Sequence, residues 1–282
     1  MILITGATGT VGGATLAALA GRSDILAATR KSDIGHGERR FDFAEPATYA
    51  SALAGVRGLF LMLPPGLRDA RARFRELLDV ARTKGVARVA FLSVRNADRL
   101  PMLPHRGLEE EVEQAGIAWT HLRPNDFMQN FASQPVYRDG IRAGRLVGPG
   151  GRSRTSYVDA RDVGEGIARV LTEDGHAGRA YPLTGPTPLT LDDVTDALGT
   201  ALGRRVLAVA PSLPRFLVHA RRAGAPVPLA IVMTSIGLVA RLGLAQGIDP
   251  DLERLLGRAS RSIADFACDY REVWTASGGK AA

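Results

Sequence analysis

Cysteine is almost missing: Cys268 is the only one in 282 residues. No internal disulfide can form, and the composition is that expected in a reducing compartment. No basic, apolar leader opens the chain, because Met1-Ile2-Leu3-Ile4-Thr5 runs straight into a glycine turn. That pattern is unlike a secretory signal and makes the cytoplasm the expected location. The longest apolar stretch, residues 228–240, is shorter than the roughly 20 residues of a membrane span, so no membrane partner is expected. Lysine is scarce too: of 36 basic residues only Lys31, Lys84 and Lys280 are lysines. The net charge of +7 is therefore carried by arginine, without the interleaved aromatics of a nucleic-acid surface, and no nucleic-acid partner is expected. Acid is absent from residues 197–248, which hold Arg204, Arg205, Arg215, Arg221, Arg222 and Arg241. G-x-S-x-G, H-E-x-x-H, C-x-x-C and P-loop patterns are all lacking, and His36, His105, His121, His176 and His219 are scattered. A nucleophilic hydrolase, a metal centre and a P-loop NTPase are accordingly not expected.

What is present is ordinary folding material, with 45% hydrophobic and 23% charged residues. A chain of this length buries a core without staples. Up to about residue 125, strand-like and helix-like stretches alternate, the pattern of a parallel α/β sheet. Strands are predicted at 1–5, 25–29, 40–43, 58–63, 86–93 and 118–122, as apolar runs of the kind buried on both faces. Helices are predicted at 11–19, 47–53, 68–83 and 106–114; Phe74, Leu77, Leu78 and Ala81 supply one buried helical face. The second half is less regular, with strands expected at 157–159, 180–184 and 206–209 and helices at 163–171 and 191–202.

The first strand ends in Thr5-Gly6-Ala7-Thr8-Gly9-Thr10-Val11-Gly12. In a dinucleotide site Gly6 permits the tight turn, Gly9 lets backbone approach a pyrophosphate, and Gly12 lets helix and strand pack closely. Thr8, Thr10 and Val11 belong to the same cradle, whose helix N-terminus offers N–H groups to phosphate. A strand before the turn and a helix after it are the contexts that make this spacing meaningful. The second strand ends in Arg30-Lys31, where NAD-binding chains place Asp or Glu. An arginine there pairs with a 2′-phosphate, so NADP(H) is the expected cofactor; a solvated surface arginine is the competing reading.

Together with this turn and Arg30, further motifs complete a pattern: Phe41-Asp42-Phe43, Leu63-Pro64-Pro65, Leu92-Ser93, the stretch from Leu122 through Pro124, Asn125, Phe127 and Met128 to Asn130, and Tyr157-Val158-Asp159-Ala160-Arg161-Asp162-Val163. The chain resembles the NmrA-like branch of the atypical short-chain dehydrogenase/reductases. That branch holds quinone, triphenylmethane, isoflavone-type and ergot-alkaloid iminium reductases as well as cofactor-sensing regulators. The resemblance covers residues 1–210 and touches the end, at Ile263-Ala264-Asp265-Phe266. It implies a Rossmann-like, doubly wound parallel sheet with a smaller, mostly helical C-terminal substrate-binding part. On this reading residues 1–155 bind NADP(H), 156–185 return elements to that domain, and 186–282 form a substrate-binding or lid region. The resemblance places Asp42 and Phe43 at the adenine and Leu63, Pro64 and Pro65 along the ribose and nicotinamide. It sets Pro124, Asn125 and Phe127 at the border of the nicotinamide pocket. Phe127 as core packing and Asn130 as a satisfied loop amide are the alternatives.

One departure constrains the chemistry. Short-chain dehydrogenases carry Tyr-x-x-x-Lys after the fifth strand, yet neither residue occurs between Ser93 and Trp119. The nearest counterpart is His105 with Glu109, four residues apart on one helical face. His105 is the candidate proton donor and Ser93 the candidate orienter of a substrate oxygen, unless His105 only caps its helix or meets solvent. Reduction of a plain ketone needs a positioned acid, whereas an iminium ion, a quinone or a conjugated system demands little or none. The expected activity is thus an NADPH-dependent reduction of a small activated electrophile. A non-catalytic NADP(H) sensor is the alternative. Residues 213–247 suit an apolar lid rimmed by Arg221 and Arg222, a helical core, or a homodimer contact.

Overall fold

In the computed structural model, residues 1–100 and 103–275 are described. The chain divides into two compact units. The first comprises Met1–Pro124, Ala160–Leu183 and Pro250–Arg258; the second comprises Asn125–Asp159, Thr184–Asp249 and the chain from Ala259 onward. The segment 125–155, read from the sequence with the first part, belongs to the second unit.

The first unit is built on seven parallel strands. They are β1 (Ile2–Ile4), β2 (Ile25–Thr29), β3 (Glu38–Arg40), β4 (Gly58–Met62), β5 (Arg88–Leu92), β6 (Ala118–Pro124) and β8 (Arg179–Leu183), in the order β3-β2-β1-β4-β5-β6-β8. β1 is central: Ile2 lies opposite Ile25 on one side and Gly58 on the other. Strand order reverses between β1 and β4, the place where open α/β sheets bind ligands beyond the strand ends. The helix Ala70–Thr83 buries Phe74, Leu77, Leu78 and Ala81, as its periodicity predicts. Phe41, Phe43, Tyr49, Phe74 and Phe91 form the aromatic heart of this core.

Two expected strands shift or disappear. The third strand ends at Arg40, because the Asp42 carboxylate accepts from the Ala44 N–H at 2.9 Å and turns the chain. Residues 157–159 form no strand; Val158 makes only an isolated bridge to Phe127.

In the second unit a parallel pair, β7 (Arg145–Val147) and β9 (Leu207–Val209), is surrounded by helices. The helix Leu191–Leu202 opens with a capping box, Thr190 Oγ1 accepting from the Asp193 N–H and the Asp193 carboxylate accepting from the Thr190 N–H. Ser262 and Asp265 repeat the device for the helix Ile263–Asp269. Phe131, Tyr137, Leu198, Phe216, Phe266 and Trp274 fill this core, and Trp274 Nε1 donates to the Phe131 carbonyl at 3.2 Å. No helix among the described residues is long and apolar enough to cross a membrane.

Candidate functional site

The turn after β1 is shaped by its lack of side chains. Gly6 has φ 62°, and a Cβ there would lie 2.4 Å from Met62 Sδ. At Gly12 a Cβ would lie 2.1 Å from the Gly6 carbonyl oxygen, so the helix Thr10–Ala18 starts in backbone contact with the turn. Gly9, its N-cap, brings no side-chain oxygen, and no acid occupies the first turn. Thr8, Gly9 and Thr10 are exposed while Val11 and Gly12 are buried. The helix dipole and its first N–H groups therefore lie at an exposed turn, with no acid in the first turn of the helix to satisfy them. Gly12→Ala must push two backbone segments apart; the expected result is loss of dinucleotide binding and a destabilisation of about 1–3 kcal/mol, read by calorimetry and thermal melting.

Arg30 follows β2 directly, is exposed, and makes no ion pair among the described residues. The Asp42 carboxylate is turned onto the Ala44 N–H. Phe43 is buried against Phe41 and stacked on Phe74, so its ring serves the core. Leu63 and Pro64 are half-buried and Pro65 exposed, immediately beyond the end of β4.

Beyond β5, Ser93 is buried, with its N–H on the Leu122 carbonyl at 2.8 Å. Its hydroxyl has no hydrogen bond of ordinary geometry, yet it stands close enough to the Glu109 carboxylate to help hold that group ionised. His105 also lies near Glu109. Burial pushes the His105 imidazole below its ordinary value, against the pull of Glu109, so His105 is neutral at pH 7. Glu109 itself is fully buried and held by Arg123 in a fork, Nε to Oε1 at 2.8 Å and Nη2 to Oε2 at 2.9 Å. Burial alone would raise its pKa, but the hydrogen bonds from Arg123 and the proximity of the Ser93 hydroxyl and of His121 win and lower it. Pro124 ends β6 and accepts from the Arg95 N–H at 2.9 Å.

Around Glu109 lies a network that sequence reasoning missed. Arg106 reaches Glu109 and Glu113, each at 3.3 Å, and His121 Nε2 lies 3.2 Å from Glu113 Oε1. His121 is buried between Trp119, stacked at 4.4 Å, and Phe91, edge-on at 5.9 Å. Glu109, Glu113 and His121 have ligand atoms within 4.8 Å of one another. They do not suit a metal ion, because the carboxylate oxygens already accept from two guanidinium groups. The network is a clamp between the helix Pro104–Gln114 and β6.

In the second unit, Asn125 Nδ2 donates to the Ser156 hydroxyl at 2.9 Å and to the Ala245 carbonyl at 2.7 Å, which makes this amide a strut. Phe127 is half-buried at its bridge to Val158. Asn130 Nδ2 donates to Asp126 Oδ1 at 2.7 Å. Burial raises the Asp126 carboxyl to about 6, against the hydrogen bonds it accepts from Asn130 and the Phe127 N–H. The linkage has a definite sign. The unfolded chain ionises this group near pH 4 and the folded chain near 6, so stability falls as pH rises through that window. Asp126→Asn is expected to raise stability by about 1–3 kcal/mol above pH 6 and to leave it unchanged below pH 4, as melting curves across pH will show.

The acid-free stretch forms two helices, Leu213–Arg222 and Val227–Arg241. Each buries a narrow stripe, with Phe216 and Ala220 on the first and Ala230, Met233, Gly237 and Ala240 on the second. Ile231, Val232, Ile236 and Leu238 are exposed on the other face. Arg221 donates to the Ala225 carbonyl just past its own helix, and Arg222 is exposed without an ion pair among the described residues.

The model of the NmrA-like family matches residues 1–250. The NAD(P)H azoreductase of Xenophilus azovorans is 32% identical over 282 residues, covering 95% of this chain and 96% of the relative. The crystal structure of Citrobacter sp. triphenylmethane reductase complexed with NADP(H) aligns with TM-score 0.82 and 25% identity over 95% of this chain and 98% of that one. That of the NADPH-dependent quinone oxidoreductase of Escherichia coli complexed with NADPH aligns with TM-score 0.83 and 25% identity, over 95% and 99% of the respective chains.

Proposed function

Because the chain belongs to the NmrA-like family, we propose that it is an NADPH-dependent reductase that passes hydride to a small activated electrophile: an iminium ion, a quinone or a conjugated system. The observation that carries this reading is the pairing of the exposed glycine turn with Arg30, a cation placed directly after β2 and without an ion pair among the described residues. The names of its relatives support it, since they reduce azo, triphenylmethane and quinone compounds with a nicotinamide cofactor. The residues present fit that cofactor. Gly6, Thr8, Gly9, Thr10, Val11 and Gly12 hold the pyrophosphate, and Arg30 pairs with the 2′-phosphate. Leu63, Pro64 and Pro65 flank the ribose and nicotinamide. NADPH, when bound, supplies the hydride. The protein's own part is to bind, orient and exclude water.

Acid help is weak in this chain. His105 is neutral, Glu109 is ionised and forked by Arg123, and no Tyr/Lys pair follows β5. Ser93 is left to orient a substrate oxygen. An electrophile that demands no proton during hydride addition suits such a site.

The test is NADPH consumption against a panel of acceptors. Iminium ions and quinones are expected to turn over at least ~100-fold faster than simple aliphatic ketones, the order of magnitude that a positioned acid contributes. His105→Ala is expected to change the iminium rate less than threefold. Ketone reduction at rates matching the quinones contradicts the assignment.

A further inference from the structure

The helix Val227–Arg241 is apolar on every side, and a helix of that kind is ordinarily buried all round. Its polar members before Arg241 are Thr234 and Ser235, whose hydroxyls donate back to the carbonyls of Ala230 at 2.7 Å and Ile231 at 3.0 Å. Only the stripe of Ala230, Met233, Gly237 and Ala240 is buried. Val227, Ile231, Val232, Ile236, Leu238 and, just past the helix end, Leu242 are exposed. Thirteen large apolar side chains are exposed among the described residues, and eleven of them lie between Leu207 and Ile248. Such a concentration marks a surface that meets a partner, unlike the single exposed apolar residues of an ordinary surface.

Charge narrows the choice of partner. Residues 197–248 hold no Asp or Glu. On the helix Leu213–Arg222, Arg215 and Arg222 are exposed and line one shallow hollow with Pro214, Val218 and His219. Neither arginine pairs with a carboxylate among the described residues. Arg221 and Arg241 are engaged differently, donating to the carbonyls of Ala225 and of Pro149 and Pro211. The partner must therefore offer apolar material beside negative charge. A second copy docked symmetrically would set arginine against arginine, with no carboxylate from residues 197–248 of either chain.

We propose that this helical hairpin docks on an anionic lipid bilayer, with the exposed side chains of Val227–Arg241 among the acyl chains and Arg215 and Arg222 on headgroup phosphates. Residues 228–240 are too few to span a bilayer. That excludes a crossing but not a helix lying in the plane of the interface. The docking stands or falls independently of the reductase reading.

Flotation of the full chain with vesicles of phosphatidylglycerol and phosphatidylcholine in equal parts, and with phosphatidylcholine alone, tests this. The anionic vesicles are expected to bind at least ~10-fold more tightly, and added salt to shrink the preference. An arginine near such a surface contributes about fivefold, so Arg215→Gln combined with Arg222→Gln is expected to weaken binding about 25-fold. Ile231→Ser combined with Leu238→Ser is expected to weaken it at least ~10-fold while the chain melts as the wild type does, because both side chains are exposed. Equal affinity for the two vesicles overturns the proposal. Anionic binding that the serine pair leaves intact does so too, since it is then the general adhesion of a chain of net charge +7. A dimer in sedimentation velocity that the serine pair dissociates and that vesicles do not capture gives the face to a second copy and overturns the proposal as well. Should the variants fail to fold, tryptic cleavage after Arg222 decides in the wild-type chain: anionic vesicles are expected to slow it, and an unchanged rate contradicts docking.

Discussion

Arg30→Glu is expected to weaken NADPH binding by roughly 10- to 150-fold, the range of one charged hydrogen-bonded contact, while NADH binding holds or improves. The residue is suited to this role by what it lacks. It is exposed at the end of β2 with no carboxylate paired to it among the described residues, so its full charge is available to a 2′-phosphate. Because the side chain packs against nothing that the core requires, the variant should melt as the wild type does. Titration of both cofactors against both proteins separates the outcomes. A uniform loss of NADPH and NADH affinity would mean that Arg30 shapes the cradle in general rather than reading the extra phosphate.

A second large effect belongs to stability. Glu109→Ala leaves the Arg123 guanidinium, of which 13% of the side chain is exposed, without its fork partner and with only the more exposed Asp98 carboxylate, 3.3 Å from Nη1, beside it. Removing one member of a buried pair costs about 3–5 kcal/mol, which corresponds to a fall in Tm of roughly 5–8 °C for a chain of this size. The pH dependence follows from the lowered pKa of Glu109. A carboxyl held below its unfolded value contributes stability that is complete above the unfolded pKa, about 4.3, and is lost as pH falls through the folded one. The gap between wild type and variant should therefore be widest at neutral pH and close in acid. A gap that does not change between neutral pH and acid would assign the clamp to packing rather than to charge.

How much of this was legible in the sequence depends on distance along the chain. The first strand, its glycine turn and the next helix lie within one short stretch, and each glycine answers to a contact made inside it or at Met62. Parallel strands buried on both faces are near-continuous apolar runs, so β1, β2, β4, β5 and β6 were placed from pattern alone. The ends of such runs are less informative. Phe41-Asp42-Phe43 looked like strand, but a side-chain hydrogen bond to Ala44 takes the chain out of the sheet one residue after Arg40. The resemblance sets Phe43 beside the adenine; that its ring stacks on Phe74 in the core was not legible, because the contact depends on a helix read separately.

The Glu109 clamp was illegible for a different reason. His105 and Glu109 share a helical face, which spacing reveals. That the carboxylate belongs to Arg123 follows only once β6 is laid beside the helix Pro104–Gln114. Charged residues on a helix are usually solvated, and nothing local marks Glu109 as fully buried. Asp126 is a similar case. Its neighbours Tyr137 and Tyr157 lie in the same segment of the second unit, Asn125–Asp159, but well along the chain from it, and no periodicity links the three.

The central claim is that the bound dinucleotide reacts in this chain. A single-turnover experiment tests it: the protein is loaded with one equivalent of NADPH, mixed rapidly with a quinone or an iminium ion, and the reduced cofactor is followed. The account predicts loss of the NADPH signal at a rate that rises with acceptor concentration to a plateau. NADPH that binds but stays reduced with every acceptor would contradict the account and mark the chain as a sensor.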